Sequence, residues 1–163
     1  MRTHQGMRSL TTRFSAAAAA IVLVLTGSGC TSAPSEHDEL RASAITIAKL
    51  PGLGDVLVDG EGFVLYVFEP DAAQTVTCTF TCANRWPPLR AIDGDTPTAG
   101  DGIDASLIGT LPNPAGGEVI TYNGWPLYGY TADKNPGDAR GQDTYLNGGV
   151  WYVMQPDGQP LIP

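Results

Sequence analysis

Leu65-Tyr66-Val67-Phe68-Glu69-Pro70-Asp71 is repeated 62 residues later as Leu127-Tyr128-Gly129-Tyr130-Thr131-Ala132-Asp133. Both stretches have the pattern Leu-Tyr-x-aromatic-x-x-Asp. The match extends upstream at the same spacing, through the pairs Leu57/Val119, Val58/Ile120, Gly62/Gly124 and Phe63/Trp125. A match of this length indicates that a whole supersecondary unit has been duplicated. We therefore expect the two copies to form one pseudo-symmetric domain.

Strand signals dominate the chain after residue 44. Short runs rich in β-branched and aromatic residues alternate with Gly, Pro, Asn and Asp, as in strands joined by turns. These runs are Ile45–Lys49, Val56–Val58, Phe63–Phe68, Val76–Thr79, Val119–Tyr122, Trp125–Tyr130 and Val150–Met154. The sequence predicts an all-β domain of two antiparallel meander repeats, at about 45–92 and 115–158.

Turn and helix signals complete this outline. Asn123-Gly124 predicts a two-residue type I′ hairpin turn, because both positions of that turn need positive φ. Helical character is weak, and a single helical turn is expected between Ile103 and Ile108.

The first 29 residues have the features of an export signal. Arg2, Arg8 and Arg13 precede an apolar run that is too short to span a bilayer as a stable helix. The segment that follows, Leu25-Thr26-Gly27-Ser28-Gly29-Cys30, resembles the lipobox of bacterial lipoproteins, although Gly27 stands where that motif usually has Leu. The resemblance implies that the mature chain begins at a lipidated Cys30 and lies outside the cytoplasm on the cell membrane. An ordinary secreted protein is the alternative.

The cysteine count agrees with a lipidated Cys30. Three cysteines are an odd number, and a secreted chain rarely leaves one thiol unpaired. If Cys30 carries lipid, Cys78 and Cys82 remain, and in an oxidising compartment a disulfide that braces a turn is expected. A redox-active pair is the alternative, although three intervening residues differ from the usual two of thiol-exchange motifs.

Residues 30–43 have the composition of a flexible tether, and residues 44–163 are long enough for one modest β domain. Without the three signal arginines, six basic residues face seventeen acidic ones, a net charge of about −11. This charge argues against nucleic acid as a partner and against electrostatic attraction to anionic lipid. The lipid anchor is therefore the expected contact with the membrane.

Absent residue types exclude several kinds of catalytic site. His4 falls in the signal and His37 in the tether, so the predicted domain contains no histidine, and its one methionine is Met154. Histidine-dependent triads, zinc hydrolase sites and the usual haem ligation are excluded. We expect no cofactor, no metal and no catalytic residue, although a pair of carboxylates at Asp71 and Asp133 stays formally open.

The duplicated motif allows a structural and a functional interpretation. Residues two apart share a strand face, so Tyr66 is expected beside Phe68, and Tyr128 beside Tyr130. Each Asp falls beyond its strand and is expected to accept backbone N–H bonds in the following turn. In the functional alternative, the two Tyr–Asp pairs flank a cleft that holds a sugar, a quinone-like ring or a cation. The candidate residues of that cleft are Tyr66, Phe68, Asp71, Trp86, Tyr128, Tyr130, Asp133 and Trp151.

Taken in order, these residues resemble a family of bacterial lipoproteins and secreted repeats named for their Tyr-x-(Phe/Trp/Tyr)-x-x-Asp motif. The resemblance covers about 45–158 and includes the two cysteines, Trp86-Pro87-Pro88-Leu89 and Thr121-Tyr122-Asn123-Gly124-Trp125. Family members often have His at the positions of Trp125 and Tyr152. The resemblance implies an envelope lipoprotein whose molecular function is unsettled.

Two functions follow as hypotheses. The first is a non-catalytic envelope lipoprotein that binds a partner protein or a small ligand, or has a structural role at the cell surface. The second is a redox accessory protein, in which the Cys78–Cys82 pair cycles or aromatic side chains relay electrons between partners.

Overall fold

The computed structural model describes residues 44–91 and 94–163, so Cys30, the signal and the tether lie outside the described residues. The described residues form nine β-strands and two short 3₁₀ helices, and they confirm the all-β prediction. The strands are β1 (Ala44–Leu50), β2 (Gly54–Asp59), β3 (Tyr66–Phe68), β4 (Thr98–Ala99), β5 (Ile108–Pro112), β6 (Glu118–Tyr122), β7 (Trp125–Pro126), β8 (Thr144–Leu146) and β9 (Gly149–Val153). The 3₁₀ helices are Glu69–Ala73 and Ala105–Leu107, and the second occupies the predicted helical turn.

The strands form three small sheets, with the orders β2-β1-β4, β3-β9-β8 and β5-β6-β7. Neighbouring strands are antiparallel, as predicted, except that β1 and β4 pair in parallel. Antiparallel neighbours can be joined by a tight turn, whereas β4 reaches β1 through a long connection, which permits the parallel direction.

The two copies are related by an approximate twofold symmetry, and its register differs from the predicted one. The β1–β2 hairpin corresponds to the β5–β6 hairpin, so the second copy begins upstream of residue 115. Leu57 has the same backbone hydrogen-bonding pattern as Ile120, not as Val119. In the first copy, Leu57 N donates to Met154 O (2.8 Å), and Leu57 O accepts from Leu65 N (2.9 Å). In the second copy, Ile120 N donates to Leu89 O (2.7 Å), and Ile120 O accepts from Leu127 N (3.0 Å). The loop of the first copy is one residue longer, which shifts the upstream register by one position.

Strand β3 is buried on both faces and separates two apolar clusters. Tyr66 and Phe68 face a cluster that contains Trp86 and Trp151. Leu65 and Val67 face the other cluster, with Ile120 among their neighbours. The alternation predicted for the duplicated stretch is therefore correct.

Several predicted elements differ in detail. Residues 76–79 form no strand, because Thr77 turns to donate its backbone and side-chain groups to Asp71. Strands β4, β5 and β8 were not predicted. Strand β4 has only two residues, and Gly109 in β5 and polar Thr144 in β8 weaken the local signal. The Asn123-Gly124 turn is confirmed by φ values of +50° and +79°. Within residues 44–91 and 94–163, no helix is long and apolar enough to cross a membrane.

Candidate functional site

The two copies of the motif meet at their tyrosines. Tyr66 N donates to Tyr128 O (2.8 Å), and Tyr128 N donates to Tyr66 O (2.9 Å). This reciprocal antiparallel pair places the two strands side by side with the approximate twofold axis between them. Every later residue of the motif therefore has a counterpart on the opposite side of the axis.

The side chains of the motif cross this axis. Tyr66 Oη donates to Asp133 Oδ2 at 2.7 Å, and Tyr128 Oη donates to Asp71 Oδ2 at 2.6 Å. Each copy thus supplies a phenol to the carboxylate of the other copy. We call these four side chains the crossed Tyr–Asp pairs. All four are buried, and neither tyrosine has any exposed surface.

The second oxygen of each carboxylate fixes a loop. Asp71 Oδ1 accepts from Thr77 N (2.9 Å) and Thr77 Oγ1 (2.5 Å), and Asp133 Oδ1 accepts from Arg140 N (3.0 Å). The predicted backbone acceptor role is present, but the donors lie six or seven residues downstream rather than in the adjacent turn. Each aspartate therefore connects its own loop to the tyrosine of the other copy, a contact that the sequence did not indicate.

Burial controls the protonation of these groups. It raises the pKa of Tyr66 and of Tyr128 far above the ordinary value, and the nearby carboxylates raise both further, so each phenol keeps its proton. Burial also raises the pKa of Asp71 and of Asp133, while the hydrogen bonds from their donors lower both and offset part of that rise. Both oxygens of each carboxylate accept hydrogen bonds from within the domain.

A column of stacked rings lies beside the crossed Tyr–Asp pairs. Trp86 and Trp151 stack at the centre, with ring centroids 3.9 Å apart and planes within 1° of parallel. Phe68 stacks on Trp151 at 4.3 Å, and Tyr130 stacks on Trp86 at 3.8 Å. These four residues are called the aromatic column.

The crossed tyrosines meet this column edge-on. Tyr66 contacts Trp86 at a centroid distance of 5.4 Å and an angle of 76°, and Tyr128 contacts Trp151 at 5.2 Å and 88°. Stacked and edge-on contacts are the favoured geometries for aromatic pairs. Side chains therefore fill the space between the two motifs, where the functional interpretation placed a ligand cleft. The eight residues predicted for that cleft are brought together, but as a packed core.

The backbone at Gly141 packs directly against one side of this core. A Cβ atom at Gly141 would lie 2.7 Å from both Trp86 and Tyr66, a distance that side-chain carbons do not tolerate. Gly141 N also donates to Tyr66 Oη at 3.2 Å. The missing side chain allows the backbone to reach both the ring and the hydroxyl group of the tyrosine.

The two cysteines form the expected disulfide, with Cα atoms 5.2 Å apart. Cys78 and Cys82 are both buried and pack in the cluster of the aromatic column. The bridge follows Thr77 directly, and Trp86 N donates to Cys82 O at 2.9 Å. The disulfide therefore braces the segment between Thr77, which donates to Asp71, and Trp86 of the aromatic column.

The disulfide loop also presents Phe80 to solvent. Its side chain is 74% exposed, and its backbone has φ of +50°, which is rare for a bulky residue. Beside this loop lies a cleft of about 370 Å³, whose lining includes Pro87, Pro88 and Arg90. We call it the Arg90 cleft. Sequence reasoning missed it, since its residues come from separate loops and share no motif.

The described residues contain no group of three or more His, Cys, Asp or Glu side chains placed to hold a metal ion.

A family model described as a secreted repeat of unknown function matches residues 49–90 and 109–155. The two matched segments contain the two copies of the motif, in agreement with the resemblance noted from the sequence. No curated protein and no solved structure matches the chain significantly.

Proposed function

We propose, since the chain belongs to a family of secreted repeats of unknown function, that it is a non-catalytic binding protein held at the cell membrane by lipid on Cys30. The description of the family as secreted supports a location outside the cytoplasm. The observation that carries the proposal is the use of all four polar side chains of the repeat motif in buried hydrogen bonds between the copies.

A catalytic carboxylate or phenol must touch its substrate, and these groups are covered by the fold. Asp71 and Asp133 are each bonded through both oxygens, and rings of the aromatic column occupy the space beside them. The motif therefore supports a rigid domain, and the surface loops are left for recognition.

Exposed apolar side chains offer positions from which to test a binding role. Phe80, Tyr145 and Ile162 are each more than half exposed and lie on different loops or strands. A photoreactive amino acid would replace each residue in turn in the full chain, and the variants would be irradiated in intact cells. We expect a discrete crosslinked product from Phe80 and none from Tyr145 or Ile162. The absence of a discrete product from all three positions would contradict a binding role.

The anchor is tested by Cys30→Ala. The acidic composition of the tether offers no other attraction to the membrane, so this variant should move from the membrane fraction to the soluble fraction. Ser28→Ala is the matched control, because it keeps a small residue before the cysteine and should leave the protein in the membrane fraction. Membrane retention of Cys30→Ala would show that Cys30 does not hold the protein there.

An electron relay is the second candidate, and the aromatic column is the observation that favours it. The rings are in van der Waals contact, and a crossed tyrosine that gives an electron to a one-electron oxidant of a partner protein could pass its proton to the bonded aspartate. A flash-generated metal-complex oxidant should then produce a tyrosyl radical that Tyr66→Phe and Tyr128→Phe together remove. Burial of both cysteines disfavours the thiol version of this hypothesis. Thiol trapping after growth would show a fully oxidised pair if that version is wrong.

A further inference from the structure

The Arg90 cleft is formed by three segments that the sequence keeps apart. Thr79 and Ala83 come from the disulfide loop, Pro87 and Pro88 follow it, and the β5–β6 turn closes the opposite side with Asn113 and Ala115. Apart from Thr79, Asn113 and Arg90, the lining side chains are apolar. Its volume of about 370 Å³ falls within the range of small-molecule sites, roughly 300–1,000 Å³.

Arg90 contacts the β5–β6 turn at this cleft. Its Nη2 donates to Gly116 O at 2.7 Å. A Cβ atom at Gly117 would lie 2.7 Å from the same nitrogen, so the guanidinium packs closely against this glycine. The turn itself is rigid, because Asn113 Oδ1 accepts from Ala115 N at 3.0 Å and Asn113 N donates to Gly117 O at 2.9 Å. These contacts favour a placement of the Arg90 guanidinium beside the turn.

The charge of Arg90 is not neutralised within residues 44–91 and 94–163. The ion pairs of this part of the chain are Lys49–Asp55 and Arg140–Asp138, and no acidic residue lines the cleft. The whole chain has seventeen acidic residues and nine basic ones, and none of the acidic residues lines this cleft. A guanidinium has five N–H donors and pairs bidentately with carboxylates, and the bond to Gly116 uses one of its donors.

Phe80 is an exposed aromatic side chain on a loop that borders this cleft. It lies on the disulfide loop between the two lining residues Thr79 and Ala83. The disulfide between Cys78 and Cys82 closes that loop and keeps the strained backbone in place while the ring points into solvent. A strained residue held by its surroundings is typical of ligand clamps.

We propose that the Arg90 cleft binds a small organic anion, a carboxylate attached to an apolar or aromatic body. Arg90 pairs with the carboxylate, Pro87 and Pro88 contact the apolar body, and Phe80 covers it from the disulfide loop. This assignment rests on the proposed binding function and names the chemistry of its ligand.

The test uses 4-phenylbutyrate as the probe and the uncharged 4-phenylbutyramide as its matched control, titrated into the folded protein with its disulfide intact. Binding would be followed by chemical shifts of the backbone amides. We expect saturable binding of the acid with a Kd on the order of 1 mM, and binding of the amide weaker by at least about tenfold. Shifts should concentrate at the disulfide loop and the β5–β6 turn.

Two substitutions locate the interaction. Arg90→Gln should weaken binding of 4-phenylbutyrate by about tenfold or more, and Phe80→Ala by a smaller factor, with both variants unfolding at the temperature of the wild type. Arg85→Gln is the matched control, because Arg85 is also exposed, lies nearby in sequence and does not line the cleft. It should bind the probe as the wild type does.

Equal binding of the acid and the amide, or no effect of Arg90→Gln, would overturn the proposal. No binding of the acid at 20 times the expected Kd would also overturn it. If one of these results is found but position 80 gives a crosslinked product in cells, the binding function stands and the proposed ligand class is wrong.

Discussion

Removal of one hydroxyl group from each crossed Tyr–Asp pair tests the main structural conclusion. Tyr128→Phe removes the donor 2.6 Å from Asp71 Oδ2 and leaves that carboxylate oxygen buried, while the ring keeps its contact with Trp151. A hydrogen bond to a charged group contributes about 1.5–3 kcal/mol, so we expect the free energy of unfolding to fall by about 2 kcal/mol.

Tyr66→Phe should cost more than Tyr128→Phe. The Tyr66 hydroxyl donates to Asp133 and also accepts from Gly141 N, so its loss leaves both a carboxylate oxygen and a buried N–H without a partner. An additional neutral hydrogen bond brings the expected loss to about 3 kcal/mol. The two values are large against the total stability of a small domain, about 5–15 kcal/mol.

The assay is urea unfolding followed by tryptophan fluorescence, with the disulfide intact and at pH 7. Trp86 and Trp151 lie in the core and should report its exposure. Tyr122→Phe is the buried control. Its hydroxyl donates to the carbonyl of Pro156 and accepts from Asp104 N, so it makes two bonds to neutral backbone groups and should contribute about 1–2 kcal/mol, less than Tyr66. Tyr145→Phe is the exposed control and should change nothing. Losses at Tyr66 and Tyr128 no larger than at Tyr145 would refute the conclusion that the crossed pairs stabilise the domain.

Three further predictions concern the same core. Asp71→Asn should lower the free energy of unfolding by on the order of 1 kcal/mol and Asp71→Ala by about 3 kcal/mol, because Asn keeps an oxygen for Thr77 and Ala keeps none. Equal losses in urea unfolding would contradict this, and the same order of the two variants is expected at Asp133. Burial raises the pKa of Asp71, so the native state binds this proton more tightly than the unfolded chain does. The stability of the wild type relative to Asp71→Asn should therefore increase as pH falls from 7 towards the ordinary carboxyl value, and decrease as pH rises through the raised value; a constant difference across unfolding curves at pH 4.5, 5.5 and 7 would argue against it. Gly141→Ala should lower the unfolding temperature strongly, because its Cβ would overlap Trp86 and Tyr66, and a melt that matches the wild type would show that the core can rearrange.

Much of the fold could be predicted because its signals are local. Alternation of side chains along a strand placed Tyr66 and Phe68 on one face, and the need for positive φ identified the turn at Asn123-Gly124. The short separation of Cys78 and Cys82 made their pairing the simplest outcome. The predicted alignment of the two copies upstream of the motif was wrong by one residue. Adjacent positions there are all apolar, so the sequence does not reveal that the loop of the first copy has one extra residue.

The sequence by itself determined that one unit is present twice, that it is built from strands, and that each copy carries a tyrosine and an aspartate at fixed spacing. Only the tertiary structure decided which tyrosine meets which aspartate. Within one copy, Tyr66 lies on strand β3, and Asp71 lies in the 3₁₀ helix that follows this strand directly. Tyr128 instead reaches Asp71 because the two strands pair in opposite directions about the twofold axis. The Arg90 cleft was likewise decided by folding, because it needs loops far apart in the chain to meet around one guanidinium, and no local pattern encodes such a meeting.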